Sequence, residues 1–167
     1  SFTGVRIGAA TVKGLAFGKK TPCAGVSTLE ALAYNLCDCD GLICPVMNAR
    51  RQQVYTALFR AKNGVLERLM PDSAIAIAEL DQRLAQYEEP VRLCGDGYDV
   101  AVPLLTHALI PTSERYRHQS AYSVAQVAKR MYASGELCTD ITLSPIYLRL
   151  SQAERERAER LGIDTGI

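Results

Sequence analysis

Two arginines in one short connection, within Asn48-Ala49-Arg50-Arg51-Gln52-Gln53-Val54-Tyr55, are placed to grip an anion. A guanidinium meets a carboxylate or phosphate through two parallel N–H donors. The plainer alternative is that Arg50 and Arg51 pair with acidic residues on a neighbouring element. A second candidate opens the chain, in Ser1-Phe2-Thr3-Gly4-Val5-Arg6-Ile7-Gly8, where glycines flank a helix start. Free amides at such a start can cradle a phosphate, although glycine also serves simply to let a helix pack closely on a strand. The third is Asp96, set between Gly95 and Gly97 at the end of an expected strand. Strand carboxyl ends are where α/β sheets bind ligands. Asp96 therefore reads either as a nucleotide or metal contact or as a turn aspartate bonded to its own backbone.

Other chemistry is poorly supplied. The two histidines, His107 and His118, are eleven residues apart in the sequence, not the three or four that put two ligands on one helix face, so a histidine metal site is not expected. Six cysteines are present: Cys23, Cys37, Cys39, Cys44, Cys94 and Cys138. Cys37, Cys39 and Cys44 suggest zinc, but paired Cys-x-x-Cys knuckles are missing, and the thiols read better as small buried hydrophobes. Cys23, Cys44 or Cys94 would need a nearby base to act as a nucleophile, and no local signature supplies one. No Gly-x-Ser-x-Gly elbow occurs.

The elements that must position these residues follow from periodicity. Val5, Ala9, Val12 and Ala16 form a helical stripe, closed by Gly18, Lys19-Lys20 and Pro22. Cys23 to Val26 is a short strand candidate. Ser27-Thr28-Leu29-Glu30 is a capping box opening a helix with Leu29, Leu32, Ala33 and Leu36 on one face. Strands are expected over Leu42–Met47, Gln53–Arg60 and Val65–Leu69, the last two joined by an Asn63-Gly64 hairpin turn. A helix marked by Ile77, Leu80, Leu84 and Tyr87 runs toward Pro90, followed by a strand from Val91 to Cys94. Leu104–Ile110 holds another short strand or helix–strand step. Val124, Val127, Ala128 and Met131 mark a helix stopped by Gly135. A second capping box, Ser151-Gln152-Ala153-Glu154, opens a Glu- and Arg-rich helix that reads as a solvated surface or as a docking tail.

A meander of three strands followed by alternating helices and strands is the ribonuclease-H-like arrangement, an α/β layer fold. The expected division is 1–40 as the end of a first lobe, 41–150 as a second lobe, and 151–167 as a charged tail. The chain has 167 residues, 48% hydrophobic and 22% charged, enough for a packed core. A net charge of +1, from 19 basic and 18 acidic residues, gives no bulk electrostatic footprint for non-specific nucleic-acid binding. No apolar run approaches the roughly 18 residues of a membrane span. With neither an initiator Met nor a signal-peptide pattern, the sequence reads as a fragment lacking upstream elements, from a reducing compartment.

The motifs together resemble one family. Ser1 to Gly8 looks like the latter part of a Gly-Pro-Gly-Ser-Phe-Thr-Gly-Leu-Arg-Ile-Gly loop. Asn48-Ala49-Arg50-Arg51 with Val54-Tyr55 resembles an Asp-Ala-Arg-Arg turn, and Pro145-Ile146-Tyr147-Leu148-Arg149 resembles a Pro-x-Tyr-Leu-Arg close. Gly25 to Leu32 and Gly95-Asp96-Gly97 fit as well, and the order of motifs is kept essentially end to end. The family is TsaB, also called YeaZ.

That resemblance implies the actin-like ATPase (ASKHA) fold of two ribonuclease-H-like lobes, with the first truncated here. It implies a cytoplasmic, non-catalytic partner that the transferase TsaD needs. Together with the ATPase TsaE, that complex forms N6-threonylcarbamoyladenosine at position 37 of tRNAs reading ANN codons. Contact with tRNA would be indirect, through the complex. Self-association as a homodimer without TsaD, or pairing with TsaD, would use the first helix, with Val5, Ala9, Val12 and Lys13 as interface candidates. Ser1, Phe2, Thr3, Gly4 and Arg6 would form the glycine loop, and Asn48, Arg50, Arg51 and Asp96 the strand–turn site. No metal and no cofactor are expected, beyond at most weak nucleotide binding. The alternative is an ATP-using or glycoprotease-like enzyme of the same fold; a plain oligomerisation module fits the motifs less well. Asn48 departs from the family's aspartate, with little effect expected on folding.

Overall fold

The computed structural model describes residues 2–149 together with 157, 160 and 161. The expected capping box at Ser151 and the charged tail lie, apart from those three positions, outside the described residues. The chain runs α1 (Phe2–Ala16), α2 (Thr28–Tyr34), β1 (Gly41–Asn48), β2 (Gln53–Lys62), β3 (Val65–Ala76), α3 (Ile77–Leu84), β4 (Val91–Cys94), α4 (Tyr98–Ala101), β5 (Leu109–Ile110) and α5 (Ala121–Ser134). Short 3₁₀ turns cover Val102–Leu104 and Glu114–Tyr116.

One sheet holds five strands in the order β3-β2-β1-β4-β5. The first three form an antiparallel meander, while β4 lies parallel to β1 and β5 parallel to β4. This is the ribonuclease-H-like arrangement expected from the sequence. Its parallel strands send their carboxyl ends to one edge of the sheet, which fixes where a site can form.

The reasons for each element are local. Asn63 and Gly64 both take positive φ, 51° and 76°, as a two-residue hairpin turn between right-twisted strands requires. β1 reads Gly-Leu-Ile-Cys-Pro-Val-Met-Asn and is buried almost throughout, because both faces of the sheet are covered. Leu42, Cys44 and Val46 join Val54, Leu58, Ile77, Leu80, Leu84, Val91 and Leu93 in the main core. Each such side chain contributes about 1.5–3 kcal/mol when fully buried. α3 supplies Ile77, Leu80 and Leu84 at helical spacing. α2 packs against β1 and buries Leu29, Leu32 and Ala33.

The cap on α2 is half of the expected box. Ser27 Oγ accepts the Glu30 amide at 3.2 Å and donates to Asp72 at 2.5 Å. The Glu30 carboxylate is taken instead by Arg68 and Arg130, each at 2.8 Å. Arg68 also pairs with Asp72, so one network joins the start of α2 to β3 and α5.

Three expectations need correction. Cys23–Val26 is no strand; only Cys23 pairs, in an isolated antiparallel bridge to Cys138. The return strand does not stop at Leu69 but continues to Ala76. As an edge strand β3 tolerates Pro71, which lacks a ladder donor, and irregular pairing near Leu58 absorbs the extra residues. α3 ends at Leu84, well short of Pro90, because Ala85 and Tyr87 turn back onto Asp81 and Leu84.

Contacts divide the chain into two compact units, one from Val26 to Ala133 and one joining the chain up to Gly25 with the chain from Ser134. In the second unit α1 meets the later segment through Lys13, whose Nζ donates to the carbonyls of Leu143 at 2.9 Å and Ile141 at 3.4 Å. On the apolar stripe read from the sequence, Val5 and Val12 are 51% and 45% exposed, whereas Ala9 is half-buried and Ala16 is buried. Arg6 and Lys13, which meet the later segment, lie one position round the helix from Val5 and Val12.

Asp81 in α3 positions the connection into β5. Its carboxylate accepts the Thr106 amide at 2.8 Å, the Thr106 hydroxyl at 2.6 Å and the His107 amide at 3.1 Å. Partial burial alone would raise the carboxyl, but these hydrogen bonds outweigh it and hold Asp81 below the usual carboxylate range. A carboxyl lowered on folding adds stability above its unfolded pKa of about 4. That stability is lost as pH falls through the lowered value. Urea unfolding from neutral to strongly acid pH should show this loss, and Asp81→Asn should flatten it; an unchanged acid limb in the variant would contradict the assignment.

Candidate functional site

The carboxyl ends of β1 and β4 lie side by side, and the chain leaves each in an unusual conformation. After β4, Gly95 has φ 106°. A Cβ at Gly95 would sit 2.1 Å from the Val46 carbonyl oxygen, and one at Gly97 would sit 3.0 Å from the same atom. Only glycine lets the 95–97 loop lie this close to the β1 backbone. The Gly97 amide then donates to the Val46 carbonyl at 3.0 Å, and the Asp96 carboxylate accepts the Asn48 amide at 3.2 Å. Asp96 therefore bonds neither to its own turn nor only to solvent; it holds the last residue of the neighbouring strand.

Beyond Asn48 the chain reverses into β2. Asn48 Oδ1 accepts the Arg50 amide at 2.8 Å, the Ala49 amide reaches the Gln53 carbonyl at 3.0 Å, and the Gln53 amide reaches the Arg50 carbonyl at 3.0 Å. Arg50, Arg51 and Gln52 take φ of 63°, 52° and 55° in succession. A left-handed non-glycine residue costs about 1–2 kcal/mol, so three in a row persist only where the surroundings impose them. The Ile77 amide, donating to the Gln52 carbonyl at 3.0 Å, ties the turn to the start of α3. Arg50 and Arg51 themselves are exposed. Asn48, Arg50 and Arg51 thus follow the end of β1, where the Asn48 backbone amide meets Asp96 at the end of β4.

A third strand end adds residues that sequence reasoning missed. Thr112, just past β5, is 5% exposed, and among the described residues its Oγ1 is a buried polar atom with no hydrogen-bond partner. Its carbonyl accepts Arg117 Nε at 3.0 Å and Nη2 at 2.8 Å. The Arg117 guanidinium lies 3.5 Å from the centre of the Tyr98 ring and pairs with Asp99. Nothing in the spacing of Tyr98, Thr112 and Arg117 signals this grouping, which depends on where β5 and α4 end.

The opening candidates belong to the other compact unit and take a conformation different from the expected one. α1 begins at Phe2, so Phe2, Thr3, Gly4 and Arg6 lie in the first turns of the helix rather than in a loop before it; Ser1 is outside the described residues. Arg6 donates from Nε to the Tyr147 hydroxyl at 3.0 Å, with its guanidinium 5.6 Å from the ring centre. Arg6 and Tyr147 therefore join the opening motif to the closing Pro-x-Tyr-Leu-Arg motif. Lys13 is committed to the two carbonyls described above, which leaves Val5, Val12 and the half-buried Ala9 as the interface candidates that present side chains.

The cysteines show the physical limits on nucleophilic chemistry. Cys44, on β1, has its Sγ 3.2 Å from the Thr56 hydroxyl, and burial pushes its thiol up to about 12. Cys94 is pushed higher still by burial and then by Cys44. Neither supplies a thiolate near neutral pH. Among the described residues no three His, Cys, Asp or Glu side chains converge as a metal site.

Residues 1–156 match the family model for "TsaD: tRNA N6-adenosine threonylcarbamoyltransferase". The chain is 36% identical over 165 residues to the tRNA threonylcarbamoyladenosine biosynthesis protein TsaB of Bacillus subtilis, covering 95% of this chain and 69% of that protein. It is 28% identical over 153 residues to the protein of the same name from Escherichia coli, covering 89% and 66%. The chain thus spans about two thirds of the length of these relatives. Among solved structures, YeaZ from Pseudomonas aeruginosa superposes with a TM-score of 0.72 at 24% identity, over 89% of this chain and 69% of that one. A second Pseudomonas aeruginosa structure, described as similar to peptidase YEAZ, gives 0.75 at 23% identity over the same shares. The sheet described above is accordingly that of an actin-like, ribonuclease-H-like fold.

Two substitutions probe the strand-end geometry. Gly95→Ala must either open the loop or displace β1, and should cost at least about 2 kcal/mol in urea unfolding; a loss below half of that would mean that the close approach is not required. Asn48→Asp keeps the acceptor for the Arg50 amide and adds a charge near Asp96. Its melting temperature should change by no more than about 2 °C, and a large gain would contradict that reading.

Proposed function

The chain belongs to the TsaB (YeaZ) family, and from that premise we propose that it serves in tRNA threonylcarbamoyladenosine biosynthesis as a non-catalytic subunit. Its role is to support the transferase TsaD, with TsaE as the ATPase partner, in modifying adenosine 37 in the cytoplasm. The observation that carries this reading is the 36% identity extending over 95% of the chain to a TsaB protein.

The chemistry of the described residues supports a supporting rather than a reacting role. The thiols of Cys44 and Cys94 are buried and protonated, and His107 Nε2 meets the Glu89 carbonyl at 3.0 Å instead of a nucleophile. α1, by contrast, exposes Val5 and Val12 on one face, an apolar strip suited to another protein surface. TsaD is the proposed occupant of that face, and a second copy of this chain takes it when TsaD is absent. Arg50 and Arg51 offer a second, anion-directed contact within the complex. No resident cofactor is part of this reading, and nucleotide binding at the opening turn is at most weak.

The test is reconstitution of the full-length protein with its cognate TsaD and TsaE, scoring threonylcarbamoylation of tRNA. Modification should require this protein, and the protein alone should give none. Val12→Glu should leave the melting temperature unchanged yet weaken co-purification with TsaD by about 30-fold or more, as expected for an unpaired charge in an apolar contact. Full modification by TsaD and TsaE alone would overturn the proposal, and turnover of a substrate by this chain alone would revive the enzymatic alternative.

A further inference from the structure

We propose that Cys23 and Cys138 form a reversible, redox-controlled disulfide. The two residues face each other in the isolated antiparallel bridge. Each amide donates to the other's carbonyl, both at 2.8 Å. A pair bonded in this way has its Cα atoms about 5.5 Å apart, inside the range that a disulfide spans. Cys138 Sγ lies 3.3 Å from the Cys23 carbonyl oxygen and Cys23 Sγ lies 3.9 Å from the Thr21 carbonyl oxygen, so the bond forms by rotation of the two side chains. Both cysteines are free thiols. By contrast, Cys44 and Cys94 are fully buried on the sheet with their thiols held protonated.

The bridge is reachable from one side. Cys23 is 5% exposed, whereas Cys138 is partly exposed and lines an open cleft of about 460 Å³ with Lys20, Thr21, Pro22 and Ile141. Through that cleft, which also carries Asp140, a small peptide disulfide such as oxidised glutathione would reach Cys138. The Cys138 thiolate attacks one sulfur of the glutathione disulfide, and the first glutathione thiolate leaves and takes up a proton. The Cys23 thiolate then attacks the Cys138 sulfur of the mixed disulfide, and the second glutathione leaves. Two protein thiols are oxidised and one glutathione disulfide is reduced to two thiols. Hydrogen-bonded antiparallel pairs hold their side chains farther apart than the alternate pairs do. Closing the bond therefore strains the bridge and leaves it readily reducible, as a switch in a thiol-rich compartment needs. The bond would clamp the segment that carries α1 to the chain beyond Ser134, independently of the functional reading above.

The experiment is oxidation of the full chain in glutathione buffers of increasing oxidised fraction, followed by alkylation and peptide mapping without reductant. The expected product has lost two hydrogens, joins the peptides containing Cys23 and Cys138, and leaves the other four cysteines alkylated on unfolding. Its melting temperature should rise by roughly 4–10 °C, and dithiothreitol should reverse both changes. Cys23→Ser should stop at a glutathione adduct on Cys138, and Cys138→Ser should leave Cys23 unmodified. Alkylation of both residues under oxidising buffer, a stable glutathione adduct on the unmutated chain, or linkage of either residue to a different cysteine would overturn the proposal. The map of the unmutated chain decides the matter even if a variant fails to fold.

Discussion

The approach of the 95–97 loop to the backbone of β1 is the constraint on which the candidate site depends. Because Gly95 and Gly97 carry no side chain, the loop lies against the Val46 carbonyl and Asp96 takes the Asn48 amide. That bond fixes the end of β1. Asn48 then starts the reversal by accepting the Arg50 amide, and the left-handed run through Gln52 delivers the chain to β2 in register, with Asn48 opposite Val54. A side chain at Gly95 would disturb all of these steps at once, although none of the arginines touches Gly95.

Much of the scaffold was legible in the sequence because its signals are local. The Asn63-Gly64 turn, the helical spacing of Ile77, Leu80 and Leu84, and the apolar run of β1 each specify their own conformation. The site was legible only in part. Arg50, Arg51 and Asp96 stood out by residue type, but the bond from Asp96 to the Asn48 amide that begins the arginine turn depends on the parallel pairing of β1 with β4, which no short pattern encodes. Arg, Arg and Gln have no preference for the left-handed region, so the strained turn is imposed by tertiary contacts and leaves no local trace. Thr112 and Arg117 were missed for the same reason. At α1 the apolar spacing was legible as a stripe, of which Val5 and Val12 are exposed and Ala16 is buried.

A core stripe and a docking stripe have the same period, and the sequence cannot tell what will cover either. The polar residues of α1 add a second anchor beside the stripe: Arg6 and Lys13, seven positions apart, bind Tyr147 and the 141–143 carbonyls. The stripe is thus shared, with Ala16 covered and Val5 and Val12 open.

The proline in β3 has a consequence during synthesis and at high concentration. β3 is a twelve-residue strand at the sheet margin, and a long margin of unpaired amides and carbonyls is a template for strand addition by other copies. Pro71 removes a donor from the middle of that row, and the irregular pairing around Leu58 bends the strand beside it. A newly made chain that has completed its meander but not its later helices therefore offers neighbours an interrupted ladder, and intermolecular cross-β stacking is blocked where it would otherwise begin.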